Sequence, residues 1–221
     1  MRLPLFPLNT VLFPGMVLPL HIFEERYKLM IQRCMADNTP FGVVLIREGQ
    51  EVGGVATPHQ VGTLAKITHV EPLPGGRMNI ETTGTGRFRI RRLLENEPYL
   101  AAEVETYPLA ASSTVTTRAL VARLRPRIAA YLQLLSDDAT AQIDAEDMPD
   151  DPVDLAYLIA IALQVPTADK QDLLTFDSAR ELLVREQQLL LREHRLLHFM
   201  VSTIDAQQGL VVGPTGQLFL N

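Results

Sequence analysis

The chain has 221 residues, 47% of them hydrophobic and 21% charged, a balance that suits one large globular domain or two small ones. Its formal net charge of −6 argues against a general affinity for phosphate backbones, and its single cysteine, Cys34, excludes a disulfide within the chain. No apolar run is long enough to cross a bilayer, and the N-terminus lacks the pattern of a secretory signal. A cytoplasmic protein with no membrane partner is therefore expected.

Residues 3–27 are apolar yet punctuated by Pro4, Pro7, Pro14 and Pro19. Proline lacks a backbone N–H and fixes φ, so neither a regular helix nor a central strand is expected there. The spacing predicts short extended pieces joined by rigid bends, with Phe6, Leu8, Val11, Leu12, Phe13, Leu18 and Leu20 turned inward. A helix over 24–36 follows, with Tyr27, Met30, Ile31 and Cys34 on one face. Residues 41–46 read as a buried strand and 61–73 as an extended segment. Pro74-Gly75-Gly76 is a turn, and 78–82 returns as a hairpin arm. Residues 87–93 alternate cleanly, with Phe88 and Ile90 on one side and Arg87, Arg89 and Arg91 on the other. After a turn at Asn96-Glu97-Pro98, residues 99–107 pair back. These strands suit a small closed or half-closed barrel.

Beyond Pro108 the period becomes helical. Thr117, Leu120, Val121, Leu124, Ile128, Leu132 and Leu135 share a stripe that Pro126 is expected to kink or divide. An acidic stretch over 137–151 reads as a solvated linker. Asp151-Pro152 starts a helix over 153–164 that is apolar nearly all round, so it is expected at the centre of a bundle. Pro166 ends it, and Thr167 is expected to cap a short helix reaching 174. Ser178-Ala179-Arg180-Glu181 reads as a capping box opening the longest helix, which Gly209 stops. The apolar tail over 218–220 is expected to dock on the first half or on another copy of the chain. The fold class is thus α+β: a β-rich part over 1–110, then a helical bundle over 111–221 ending in a long helix and an apolar tail.

Several clusters together resemble the Lon protease N-terminal substrate-binding domain family, in its stand-alone bacterial form. They are Pro4-Leu5-Phe6-Pro7-Leu8, Phe13-Pro14-Gly15, Leu18-Pro19-Leu20 and Phe23-Glu24-Glu25-Arg26-Tyr27, continued by Gly84-Thr85-Gly86-Arg87-Phe88, Asp154-Leu155-Ala156-Tyr157 and Lys170-Gln171-Asp172-Leu173-Leu174. The resemblance implies a PUA-like pseudo-barrel with one inserted helix, followed by a helical bundle. It also implies a module that handles polypeptide without the ATPase and peptidase domains. No G-x-x-x-x-G-K-[ST] loop occurs, and none of Lys28, Lys66 and Lys170 lies in a serine–lysine peptidase segment, so no enzyme is expected.

The individual sites read as plain structure. His194 and His198 lie four apart on a helix, but neither a third ligand nor an H-E-x-x-H order accompanies them, so no metal is expected. Cys34 reads as a core residue. The row Arg87, Arg89, Arg91, Arg92 reads as a solvated strand face paired with Glu81, Glu103 or Glu105, and RNA binding is disfavoured without interleaved aromatics. Gly84-Thr85-Gly86 leads into a strand, so it suggests a bulge or bend in place of a dinucleotide site. No cofactor is implied. The leading function is binding of unfolded or exposed apolar polypeptide segments, with Phe13, Met16, Val17 and His21 as candidate contacts and a separate protease as a further partner. The alternative is an adaptor or self-associating protein using the C-terminal tail. An RNA-binding PUA-like protein and an unrecognised hydrolase are weaker readings.

Overall fold

The computed structural model describes residues 1–51, 56–95, 97–111, 114–136, 142–208, 210–212 and 218–220, with side chains as far as residue 196. Strands β1 (Arg2–Leu8), β2 (Val17–Ile22), β3 (Phe41–Gly49), β4 (Ala56–Pro58), β5 (Val61–Pro72), β6 (Met78–Leu94) and β7 (Ala101–Thr106) form one sheet. Helix α1 (Glu25–Asp37) is inserted after β2. The ring β1–β3–β5–β6–β7 closes on itself, because β1 pairs in parallel with β3 and antiparallel with β7.

Strand β1 overturns the expectation that prolines keep this stretch out of a doubly paired strand. Backbone parity explains how. The Met1 ammonium donates to the Val104 carbonyl and the Leu5 amide to the Leu100 carbonyl, each at 2.7 Å, so odd-numbered residues face β7 and even-numbered ones face β3. Pro4 faces β3, but pairing with β3 starts at Leu5. Pro7 faces β7, but that register ends at Pro4. Each missing N–H therefore falls on a side without a partner.

The two segments expected over 78–82 and 87–93 are one 17-residue strand, β6. The expected irregularity at Gly84-Thr85-Gly86 is a bulge: Leu64 opposes Gly86 and Ala65 opposes Gly84, leaving Thr85 unopposed. Gly84 is required there, since a Cβ would lie 2.2 Å from the Phe13 carbonyl oxygen. That carbonyl accepts from the Met16 amide at 3.1 Å, and Gly15 has φ +83°, as a Pro-Gly type II turn demands.

Three packed clusters hold the molecule. Leu3, Leu5, Val44, Phe88, Ala102 and Val104 fill the barrel. Phe6, Leu8, Tyr27, Met30, Ile31, Phe41 and Ile80 join α1 to its outside. The third cluster runs from Val11, Phe13, Leu45 and Val61 of the first half into the helices, so both halves share a core.

The helices are α2 (Val115–Leu135), α3 (Pro152–Ala162), α4 (Thr167–Leu174) and α5 (Ala179–Gln208). Pro126 lies inside α2 without dividing it. Asp151 caps α3 through the Val153 and Asp154 amides, as its position beside Pro152 suggests. Pro166, not Thr167, occupies the cap of α4. At α5 the Glu181 amide donates to Ser178 Oγ, but the Glu181 carboxylate accepts from that hydroxyl instead of reaching the cap backbone, so only half of the box forms. The described part of the acidic stretch is docked, not simply solvated: Met148 is buried, and Arg125 holds Asp150 and the Glu146 carbonyl. Strands β8 (Leu210–Val212) and β9 (Leu218–Leu220) form a separate two-stranded sheet. Gly209, the expected helix stop, and residues 137–141 of the linker lie outside the described residues.

Candidate functional site

Among the described residues strand β2 pairs on one side only, with the first half of β6. The Gly84 amide donates to the Met16 carbonyl at 2.9 Å, which makes Leu18·Thr82 and Leu20·Ile80 the bonded pairs by alternation. The backbone groups of Val17, Pro19 and His21 therefore point away from β6, toward an edge that no described strand pairs with. Pro19 contributes no donor, so Val17 and His21 supply the outward amides. Side chains 17, 19 and 21 are exposed on the outer sheet face, while Leu18, Leu20 and Ile22 turn toward the α1-covered core.

Two hollows flank this strand. One, of about 250 Å³, has Phe6, Leu8, Leu20 and Tyr27 at its floor and Phe23, Glu24 and Glu51 at its rim. The Tyr27 ring stacks on Phe6 with centroids 4.0 Å apart. Its hydroxyl has no hydrogen-bond partner among the described residues, and burial pushes its pKa up to about 12, so it is a neutral donor at physiological pH. Phe23 is 47% exposed and stacks against His21. The rim carboxylates are committed: Glu24 to Arg26 at 3.0 Å, and Glu51 to the Asn9 amide and side chain at 3.1 and 2.8 Å. The other hollow, of about 420 Å³, lies on the outer face and is lined by Pro19, His21, His69, Glu71, Asn79 and Glu81. Across three strands His21 Nδ1 meets Asn79 Oδ1 at 2.7 Å, and Asn79 Nδ2 donates to Glu71 at 2.9 Å.

The four residues singled out in the sequence do not form one accessible surface. Phe13 is 1% exposed and belongs to the core shared by barrel and helices, because the Pro14-Gly15 turn folds it beneath Gly84. It can support a site but not touch a ligand. Met16 is half-buried between two clusters. Val17 and His21 do lie on the open edge, with Val17 58% exposed. Sequence reasoning missed Phe23 and Pro19 as edge residues. The signal was present in the odd-numbered run 17, 19, 21, 23, read at strand period.

A model of the family described as the ATP-dependent protease La (LON) substrate-binding domain matches residues 2–192. The chain belongs to this family. It is 33% identical over 212 residues to Lon protease 2 of Myxococcus xanthus, covering 94% of this chain and 25% of that protein. It is 28% identical over 210 residues to a Lon protease of Anaeromyxobacter dehalogenans, again covering 94% of the chain and 25% of the relative. Among solved structures it resembles a Lon N-terminal domain protein from Xanthomonas campestris, with TM-score 0.64 and 26% identity over 84% of this chain and 96% of that one. The N-terminal domain of a Mycobacterium avium complex Lon protease shares the fold, with TM-score 0.68 and 24% identity over 86% of this chain and 98% of that one. The chain thus corresponds to the substrate-binding domain and spans a quarter of these curated relatives' length.

Within this Lon-type domain, the other sequence candidates resolve into structure. Arg87, expected on a solvated face, is 2% exposed at the barrel–helix junction. Its Nη1 donates to the Leu174 and Phe176 carbonyls at 2.7 Å each, and its guanidinium lies 4.5 Å from the Tyr107 ring centroid. The helices cover that strand face, which alternation alone does not reveal. Arg91 and Arg92 pair with Glu105 and Glu103 on the neighbouring strand, as expected of a solvated strand face. Cys34 is buried, and burial raises its thiol pKa, which suits an inert core residue. Among the described residues no cluster of His, Cys, Asp and Glu could hold a metal; the His198 side chain lies outside them. No described helix is long and apolar enough to cross a membrane.

One buried ionisable pair was not foreseen. Glu186 is 0% exposed with both carboxylate oxygens unpartnered, and burial raises its pKa well above the usual carboxylate value. The charge of Lys170 partly opposes that rise; Lys170 itself donates to the Ala160 and Ile161 carbonyls at the end of α3, and burial lowers its pKa to about 8. Glu186 is sealed from solvent, so the pair bears on stability and not on a substrate. The signal lay in the sequence: Glu186 interrupts the stripe Leu182, Leu183, Leu189, Leu190 at helical spacing.

Proposed function

We propose that this domain binds extended segments of unfolded or partly folded polypeptide along the open edge of β2, and that such cargo is passed to a protease, separate or joined. One observation carries the reading. An exposed strand, paired on one side, offers outward amides at Val17 and His21 beside an apolar hollow floored by Phe6, Leu8, Leu20 and Tyr27. An added strand would gain main-chain hydrogen bonds from the edge and specificity from alternate side chains. Family membership supports substrate binding as the task. The reading needs no catalytic constellation and no cofactor.

Fluorescence anisotropy with a labelled, permanently unfolded polypeptide tests it. Val17→Pro removes an outward donor without touching a β6 bond and is expected to weaken binding about tenfold while leaving the melting temperature within a few degrees. Peptides N-methylated at alternate residues are expected to lose binding in one methylation phase only. Equal affinity for Val17→Pro and the parent, with both methylation phases tolerated, contradicts the reading.

Self-association is the second reading, favoured by the β8–β9 hairpin. It pairs with no other strand among the described residues, and a two-stranded sheet is marginal alone. Deleting residues 209–221 would then change the sedimentation coefficient from that of an oligomer to that of a monomer. An unchanged monomer before and after deletion removes this reading.

A further inference from the structure

Resting on the reading of β2 as a docking edge, we infer that the edge selects polypeptide segments in which basic and apolar side chains alternate. Successive side chains of a strand laid beside β2 point to opposite sheet faces. The two faces differ in chemistry.

On the inner face, the side chain meets the 250 Å³ hollow floored by Phe6, Leu8, Leu20 and Tyr27. This space suits one aliphatic or aromatic group, and the acids at its rim are already bonded to Arg26 and Asn9. On the outer face, the register sets Pro19 beside Glu81 and His69, and His21 beside Asn79 and Glu71. Neighbouring strands are ~4.8 Å apart, so Glu81 lies about 10 Å from an added strand, within reach of an extended Lys or Arg. The short Pro19 ring is all that separates them. Among the described residues the carboxylate of Glu81 has no hydrogen-bond or ion partner, and Glu71 is held only by the neutral Asn79 amide. Glu81, with Glu71 behind it, on the outer face and the Phe6, Leu8, Leu20 and Tyr27 floor on the inner face thus favour Lys or Arg at every second position with Leu, Met or Phe between. The occupant is an extended segment of another polypeptide with this alternation.

The test uses the full chain and two acetyl-capped, fluorescent heptapeptides, one alternating Lys and Leu, the other Glu and Leu. The Lys peptide is expected to bind about tenfold more tightly at low salt, with a gap that narrows as salt rises. Glu81→Gln is expected to shrink the gap about threefold and Glu71→Gln with Glu81→Gln to shrink it further, consistent with partly screened pairs. Both positions are exposed, so unchanged melting curves are expected. Asp172→Asn on α4 makes the same change in net charge and should leave the gap intact. Equal affinities for the two peptides, or a gap that Asp172→Asn narrows as much as Glu81→Gln, overturn the inference. Equal affinities that both fall in Val17→Pro leave the docking reading standing while refuting the selectivity. If neither peptide nor an unfolded protein binds, the docking reading itself has failed. A parent that sediments as a dimer and becomes monomeric in Val17→Pro assigns the edge to a second copy and refutes both.

Discussion

Strands β1 and β2 come from the same proline-punctuated stretch, yet β1 is a wall of the closed barrel and β2 lies open on its flank. Leu3, Leu5, Phe6 and Leu8 of β1 are buried, whereas Val17 of β2 is 58% exposed. Composition does not separate them; the direction in which each proline lacks its donor does. Pro4 and Pro7 lack theirs on sides where the neighbouring strand has not begun or has ended, so β1 is paired throughout. Pro19 lacks its donor on a side where no described strand pairs, which leaves outward amides at Val17 and His21. An edge interrupted by proline resists indiscriminate pairing while keeping enough donors for a chosen partner.

Substitutions sharpen that contrast. The largest effect is expected for Leu5→Ala on β1, which is 0% exposed inside the barrel: a loss of about 2–5 kcal/mol in urea unfolding. Arg87→Leu, at the covered end of β6, removes two charge-assisted bonds and strands the Leu174 and Phe176 carbonyls; about 1.5–3 kcal/mol is expected to go. A loss under half a kcal/mol there would mean the junction holds without it.

Glu186 tests the covered region through pH. Its folded pKa is raised by burial, while the unfolded carboxyl ionises near its ordinary 4.5. Stability is therefore greatest below 4.5 and declines as pH rises toward the folded value, by at most about 1.4 kcal/mol per pH unit for one proton. Glu186→Gln is expected to flatten that decline. Lys170 acts with the opposite sign: its pKa falls from 10.5 to about 8, so stability drops as pH falls through that interval. Denaturant midpoints measured from pH 5 to 10 on the parent and Glu186→Gln separate the two. The smallest effect belongs to the open strand, where Val17→Lys is expected to shift stability by no more than about 0.5 kcal/mol. A loss comparable to Leu5→Ala would show that β2 is not an open edge.

Much of this architecture is legible from local chemistry. The Pro14-Gly15 turn, the α1 face of Tyr27, Met30, Ile31 and Cys34, the Asp151 cap and the bulge at Thr85 follow from residue type and period. The site is less legible, because an open edge is a property of pairing. Val17 and His21 were indicated by their place in an apolar stretch, and so was Phe13, which that same stretch buries. Arg87 shows the limit of alternation: period assigns a side chain to a face, but only the tertiary fold decides whether helices cover it. Glu186 shows the converse: it is visible as the acid that interrupts the apolar stripe of α5, but residue type assigns acids to the surface, and only the packing of α5 shows it buried.

Backbone hydrogen exchange at Val17 and His21 tests the central claim most directly. In the free chain these two amides are expected to exchange rapidly, while those of Leu18 and Leu20, bonded to β6, are protected. On saturation with an unfolded polypeptide, Val17 and His21 should slow at least tenfold, the mark of a strand added to this edge. Saturated binding that leaves both amides as fast as before would contradict the account.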